Sequence, residues 1–290
     1  MAAYLALALS YVLSQFYRSF LAVLTTVLQT DLGVTPTQLA YASGAWFAAF
    51  ALAQFPIGYA LDTFGPRRTS SVLHAVAAGG GAALFATAGG PVQLIAAMAL
   101  IGIGCAPVLM ASLFLFARNF SPARFATLGS SFIAFGTLGN IVGAEPLAAA
   151  AELWGWRPVA WFLCASTVAV GVAIQLFVRD PERVSNPNQT EKVGYLALMK
   201  IPQLWTILPC ILLGYAIAAG IRGLWAGPFL SDVYGLTTIE IGRVTLYMAI
   251  ALSLGSLAFG PLDRLLDTRK WVIMGGNLIV LGAVGWLWLA

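Results

Sequence analysis

Two arginines lie inside stretches that otherwise read as continuous apolar helix, Arg18 and Arg222. A permanent cation at bilayer depth costs from roughly 2.5 kcal/mol on insertion scales to above about 10 kcal/mol in simulation. Such a residue faces a protein interior or a wet cavity and marks a candidate site. Tyr11, Ser14 and Gln15 precede Arg18 by seven, four and three residues, which places all four on one helical face. Tyr215 precedes Arg222 by the same seven residues. Two guanidiniums opposed across a two-fold axis would hold a carboxylate or phosphate through paired N–H bonds. A second reading stays open: structural arginines bonded to backbone carbonyls at helix breaks, or side chains reaching to an interface. Arg18 is about ten residues from either end of its stretch, too deep to snorkel easily, whereas Arg222 is nearer one end.

Other groups carry weaker signals. Glu145 lies between Gly143 and Pro146 in the fifth stretch. A buried carboxylate with a raised pKa could carry a coupling proton there, and an interfacial residue at a kinked helix end is the alternative. Glu240 and Arg243 are three apart and suggest a local ion pair. His74 is the one histidine. Cys105, Cys164 and Cys210 sit in apolar runs with neither metal spacing nor disulfide logic. No convergent acid, base, nucleophile or metal set is visible, so an enzyme is not expected, nor any cofactor.

The elements that must position these groups follow from composition. Sixty per cent of the 290 residues are apolar and nine per cent charged, and mean hydropathy is +0.88. Soluble domains carry about 25% charged residues. The apolar runs lack the alternation of a membrane barrel, so the chain reads as an all-α polytopic membrane protein. Nine spans are predicted, over 4–28, 37–60, 69–88, 91–117, 124–149, 158–178, 204–228, 238–259 and 271–290. The polar stretch 179–203 separates a first bundle, 1–178, from the helices of 204–290. The glycine groups Gly79-Gly80-Gly81, Gly102/Gly104 and Gly136/Gly139/Gly143 predict close helix contacts.

Alternate loops distribute lysine and arginine unequally, eleven on one side against Arg157 and Arg243 on the other. The positive-inside rule makes the richer side, with the N-terminus and the linker, cytoplasmic. The formal net charge of +4 is dispersed, and nothing points to nucleic acid.

An internal repeat organises the whole. Asp31 and Asp232, Asp62 and Asp263, and Arg68 and Arg269 are each 201 residues apart, while Tyr11 and Tyr215, and Arg18 and Arg222, are each 204 apart. Five ordered coincidences indicate duplication, and six spans between equivalents make the repeat parallel. A second half equal to the first would hold six spans, so twelve are expected and three would lie beyond Ala290; the chain reads as a fragment.

The run Gly58-Tyr59-Ala60-Leu61-Asp62-Thr63-Phe64-Gly65-Pro66-Arg67-Arg68 resembles the signature loop between the second and third helices of the major facilitator superfamily. Ala117-Arg118-Asn119-Phe120, Gly155-Trp156-Arg157, Asp180-Pro181-Glu182-Arg183 and Leu224-Trp225-Ala226-Gly227-Pro228 are further matches to bacterial members. The second loop, Gly260-Pro261-Leu262-Asp263-Arg264, is one residue tighter between glycine and aspartate. The resemblance implies two pseudo-two-fold related bundles, alternating access, and a central cavity lined by helices one and seven. It further implies a cytoplasmic gate at Gly58, Asp62, Gly65, Arg67, Arg68 and Arg118, repeated at Asp263 and Arg269. A plain loop of solvated charges is the alternative reading of those residues. The expected function is transport of a small organic anion or zwitterion by a monomer in a bacterial inner membrane. A non-transporting receptor or assembly protein, and proton-coupled efflux of amphipathic compounds, are the alternatives.

Overall fold

The computed structural model describes residues 1–181, 201–202, 205, 208, 220–266 and 269–289. Tyr215, Glu182, Arg183 and most of the predicted seventh span lie outside them. The described chain is helical: α1 Ala2–Phe16, α2 Phe20–Leu32, α3 Pro36–Thr63, α4 Pro66–Ala86, α5 Pro91–Asn119, α6 Pro122–Val142, α7 Glu145–Trp154, α8 Trp156–Phe177, α9 Ala226–Tyr234, α10 Thr238–Leu266 and α11 Arg269–Leu289. Five of these are long and apolar enough to cross a membrane among the described residues, and the bent pairs α1–α2 and α6–α7 raise the number to seven. The bends are 49° and 40°. Two compact units are present. The first comprises Met1–Asn188 and Ala219–Ala249, and the second Gln189–Ala218 and Ile250–Ala290.

Proline and glycine set most helix ends. Pro36, Pro66, Pro91 and Pro122 occupy first helical positions, where a missing N–H is harmless and the fixed φ is already helical. Gly33 and Gly235 end α2 and α9 in the left-handed conformation. The next helices then open on the same device. Thr35 and Gln38 form a reciprocal cap, Thr35 N–H donating to Gln38 Oε1 at 2.9 Å and Gln38 N–H to Thr35 Oγ1 at 3.3 Å. Thr237 and Glu240 do the same at 2.8 and 3.4 Å. These equivalents are 202 residues apart, so the duplication extends to a capping box.

The predicted glycine contacts are present. A Cβ at Gly102 would strike the Trp46 carbonyl, one at Gly104 the Ala78 backbone, and one at Gly139 the Val12 carbonyl. Gly79 meets Val168 and Gly81 meets Ile101, while Gly80 faces open space. In a bilayer, where lipid is as apolar as leucine, such close backbone approach is what holds helices together. The main core gathers Phe16, Tyr17, Phe20, Leu28, Trp46 and Phe85. Two irregular turns interrupt it. A π-turn covers Leu73–Ala78 around the fully buried His74, and a second covers Ile221–Trp225.

Candidate functional site

Arg18 sits at the break of the first span. Helix α1 ends at Phe16, and Arg18 N–H and Ser19 N–H turn back to Gln15 O and Phe16 O at 3.3 and 3.1 Å. These three-residue bonds tighten the turn before α2 begins at Phe20. The guanidinium carbon lies 5.0 Å from the Phe50 ring centre and 5.4 Å from that of Trp46. Those rings are stacked at 5.1 Å with 13° between planes. Trp46 is 1% exposed, and its indole Nε1 has no hydrogen-bond partner among the described residues. The aromatic wall of α3 thus holds the half-buried cation by its ring quadrupoles, a contact worth about 0.5–2 kcal/mol.

One and two turns earlier, Gln15 Nε2 donates to Tyr11 Oη at 2.8 Å. Tyr11 is buried and stacked on Phe132 of α6 at 4.9 Å, beside Gly136. Tyr11 and Gln15 are therefore joined to each other and to the α1–α6 packing below Arg18.

Arg222 falls in the second π-turn. A Cβ on its neighbour Gly223 would be 2.9 Å from the Arg18 carbonyl, so the two arginines belong to one helix crossing. Their side chains meet different neighbours. Arg18 reaches α3, and Arg222 lines a very small cleft with Ser19, Asn140, Gly143, Ala144, Thr245 and Ala249. Ser19, Asn140 and Thr245 are almost fully buried, and Asn140 Oδ1 has no partner among the described residues. Each cation stands where a span is irregular, which matches their equivalence in the repeat. Tyr215 lies outside the described residues.

Of the predicted gate residues, Gly58, Asp62, Gly65, Arg67 and Arg68 lie at the turn from α3 to α4. Gly58 lies in the penultimate turn of α3 and Asp62 near its end. Asp62 is exposed and makes no ion pair among the described residues. The carboxylate that meets this turn is Asp180, just past α8. It accepts the Arg67 backbone N–H at 2.7 Å. Arg67 Nε donates to the Gln175 carbonyl at 2.8 Å. Pro66 has no N–H, so Arg67 offers the first free donor of α4, and Asp180 caps the helix from another span. Gly65 makes room: its φ is +91°, and a Cβ there would be 2.7 Å from Asp180 Oδ2. Arg68 and Arg118 are exposed, Arg118 lying 5.4 Å from the Phe114 ring centre. Asp263 belongs to α10 and Arg269 opens α11; their side chains are outside the description.

Glu145 is the first residue of α7, after the break of the fifth span. Glu240 and Arg243, expected as a local ion pair, still act on each other through space, but each makes a nearer contact elsewhere. Glu240 is taken by the Thr237 cap, with Thr237 Oγ1 donating to it at 2.9 Å. Arg243 Nε reaches Glu145 Oε1 at 3.4 Å. At the same end Arg157 pairs with Asp31 at 3.5 Å, donates to the Ala86 carbonyl at 3.1 Å, and lies over Trp156 at 4.4 Å. Among the described residues no three His, Cys, Asp or Glu come together as a metal site.

Residues 7–290 match the family model described as Major Facilitator Superfamily. The mouse MFS-type transporter SLC18B1 is 25% identical over 184 residues, 63% of this chain and 38% of that protein. The fold is similar to a bacterial homolog of the human lysosomal transporter Spinster in its inward-facing, unoccupied conformation. There the TM-score is 0.75 at 19% identity over 90% of this chain and 62% of that one. It is also similar to a D-xylose–proton symporter, with a TM-score of 0.66 at 15% identity over 91% of this chain and 69% of that one. The chain thus spans 38% of its curated relative and about two thirds of these solved transporters. With nearly its whole length matched by the family model, the chain is an integral membrane protein belonging to the major facilitator superfamily.

Proposed function

We propose that the protein is a secondary carrier for a small organic anion or zwitterion, working by alternating access, with Arg18 as its main anion contact and Arg222 as a second. The observation that carries this is the placement of Arg18 at a break in the first span, over the stacked rings of Trp46 and Phe50. A guanidinium held against aromatic faces is positioned for planar, bidentate capture of a carboxylate or phosphate. Tyr11 and Gln15 brace the same helix face, and Tyr215 is the equivalent of Tyr11 in the repeat. Residues 1–178 form one bundle and 204–290 belong to the second, joined by a cytoplasmic linker over 179–203. The richer share of lysine and arginine at the Gly65 and Asp180 end supports a cytoplasmic N-terminus in a bacterial inner membrane. Gly58, Asp62, Gly65, Arg67, Arg68, Arg118, Asp263 and Arg269 supply the gate on that side. The carrier works as a monomer surrounded by lipid.

The test is ligand-dependent thermal stabilisation of the complete gene product across a panel of anions, cations and neutral solutes. Stabilisation by one class of anion, lost in Arg18→Ala with the unliganded melting temperature kept, supports the reading. Stabilisation by neutral or cationic solutes that survives Arg18→Ala refutes it. No response to any solute favours a receptor or assembly role.

A further inference from the structure

The geometry points to a binding site for a medium-chain anionic amphiphile, of the kind represented by decanoate, in a cavity between the ends of α1, α5, α6 and α8. The site is separate from Arg18, and the inference stands whatever solute the carrier moves.

The cavity measures about 730 Å³, inside the range of about 300–1,000 Å³ for small-molecule sites. Its body is apolar, lined by Leu7, Leu115, Phe116, Leu128, Phe177 and Val178. Tyr4 and Ser131 stand in the same wall, but their hydroxyls are spent on each other. Ser131 Oγ donates its one proton to the Leu128 carbonyl at 2.9 Å, so Tyr4 Oη is the donor in the 2.9 Å bond between them. Ring contacts fix this wall. Tyr4 stacks on Phe116 at 5.9 Å, and Phe132 backs both, 5.5 Å from Phe116 and 6.4 Å from Tyr4. Side chains pinned in this way do not swing in to fill the space. Water gains little there, because an ordered buried water needs about two to four polar partners. An alkyl chain suits the lining.

The mouth is polar, with Asn119, Arg179 and Asp180 around it. Arg179 is exposed and makes no ion pair among the described residues. The Asp180 carboxylate is turned to the α3–α4 turn, its Oδ1 accepting the Arg67 N–H and its Oδ2 facing Gly65. Arg124 is exposed and lies four residues before Leu128 on α6, one turn outward on the same face. Two guanidiniums over an apolar throat select an anionic head with an alkyl tail. Depth sets the length of that tail. Along α1 the lining runs from Met1 to Leu7, about 9 Å at about 1.5 Å per residue. A bilayer lipid tail covers about 15 Å, half the hydrocarbon thickness, and would overrun it. A medium-length chain fits within it.

The experiment places the complete gene product in nanodiscs of zwitterionic lipid with a photoreactive diazirine decanoate and maps the labelled peptides by mass spectrometry. Saturable labelling around Leu7, Phe116 and Leu128, displaced by unlabelled decanoate, is expected. Leu128→Trp fills the cavity and should abolish it. Arg179→Gln should weaken it by about 1.4- to 5-fold, as for loss of an exposed ion pair, and leave labelling by the matching diazirine decanol unchanged. Arg18→Ala should alter neither, because Arg18 does not line this cavity. Labelling lost in Arg18→Ala would move the amphiphile to the carrier's own site and overturn the inference. Labelling spread evenly over the exposed span surfaces overturns it too, as does displacement by phosphatidylglycerol and not by decanoate. Equal decanoate labelling in Arg179→Gln refutes the anionic head. Should Leu128→Trp fail to fold, the Arg179→Gln comparison decides alone.

Discussion

Replacing Gly65 by alanine should damage the α3–α4 turn through two separable effects. The first is backbone strain. Gly65 has φ +91° and ψ 157°, a region populated almost only by glycine, and a residue forced there costs of order 1–3 kcal/mol. The second is the lost cap. The new Cβ would stand 2.7 Å from Asp180 Oδ2, so the carboxylate must move and release the Arg67 N–H, now 2.7 Å away. A helix N-cap is worth about 1 kcal/mol. Together the loss is about 2–4 kcal/mol. The assay is thermal unfolding of the complete gene product in detergent, followed by tryptophan fluorescence. A fall of about 4–16 °C is expected on the scaling of larger soluble domains. Asp180→Ala removes the cap alone and should cost about 1 kcal/mol. In the Asp180→Ala background, Gly65→Ala should then cost only its strain, so the two changes should be sub-additive by about the value of the cap, about 1 kcal/mol. Full additivity would show that Gly65 and Asp180 do not share this contact. A Gly65→Ala protein as stable as its parent would refute the strain argument as well.

Three further changes probe one helix crossing and two helix caps. Gly139→Ala places a methyl against the Val12 carbonyl, so α1 and α6 must separate; a loss of about 1–3 kcal/mol is expected in the same melting assay. Thr237→Ala removes the hydroxyl that caps α10 and should lower stability by about 1 kcal/mol, with Thr35→Ala doing the same at α3 by a similar amount; a silent Thr237→Ala would refute a stabilising role for its cap.

Much of the scaffold was legible because it is written locally. Apolar run length gave the spans of α3, α5 and α8 to within a few residues, proline marked helix starts, and the glycine groups marked helix crossings. The capping box at Thr237 was also within reach, since Thr35-Pro36-Thr37-Gln38 and Thr237-Thr238-Ile239-Glu240 share its spacing. The break at Tyr17–Ser19 was not. Phe16-Tyr17-Arg18-Ser19 contains neither glycine nor proline, so the 49° bend comes from tertiary packing. The π-turn at Leu73–Ala78 likewise contains neither glycine nor proline, whereas the one at Ile221–Trp225 holds Gly223, a signal the sequence reading did not use. Partner choice was the other blind spot. Arg243 has Glu240 three residues away, yet the cap satisfies that carboxylate and frees the arginine for Glu145, 98 positions distant. Asp180 was visible as part of a motif, but its role at Gly65 depends on two span ends meeting.

The bend at Arg18 turns the second half of the first span into a lever. Helix α2 has 13 residues, about 20 Å at 1.5 Å per residue. A rocking of only ~5° about the break would sweep its far tip, at Leu32, through roughly 1.7 Å. The close approach of Gly227 to Ala22 would pass that sweep to α9, while that of Gly139 to Val12 would keep α1 seated. Arg18 would occupy the fulcrum of such a movement, where displacement is least.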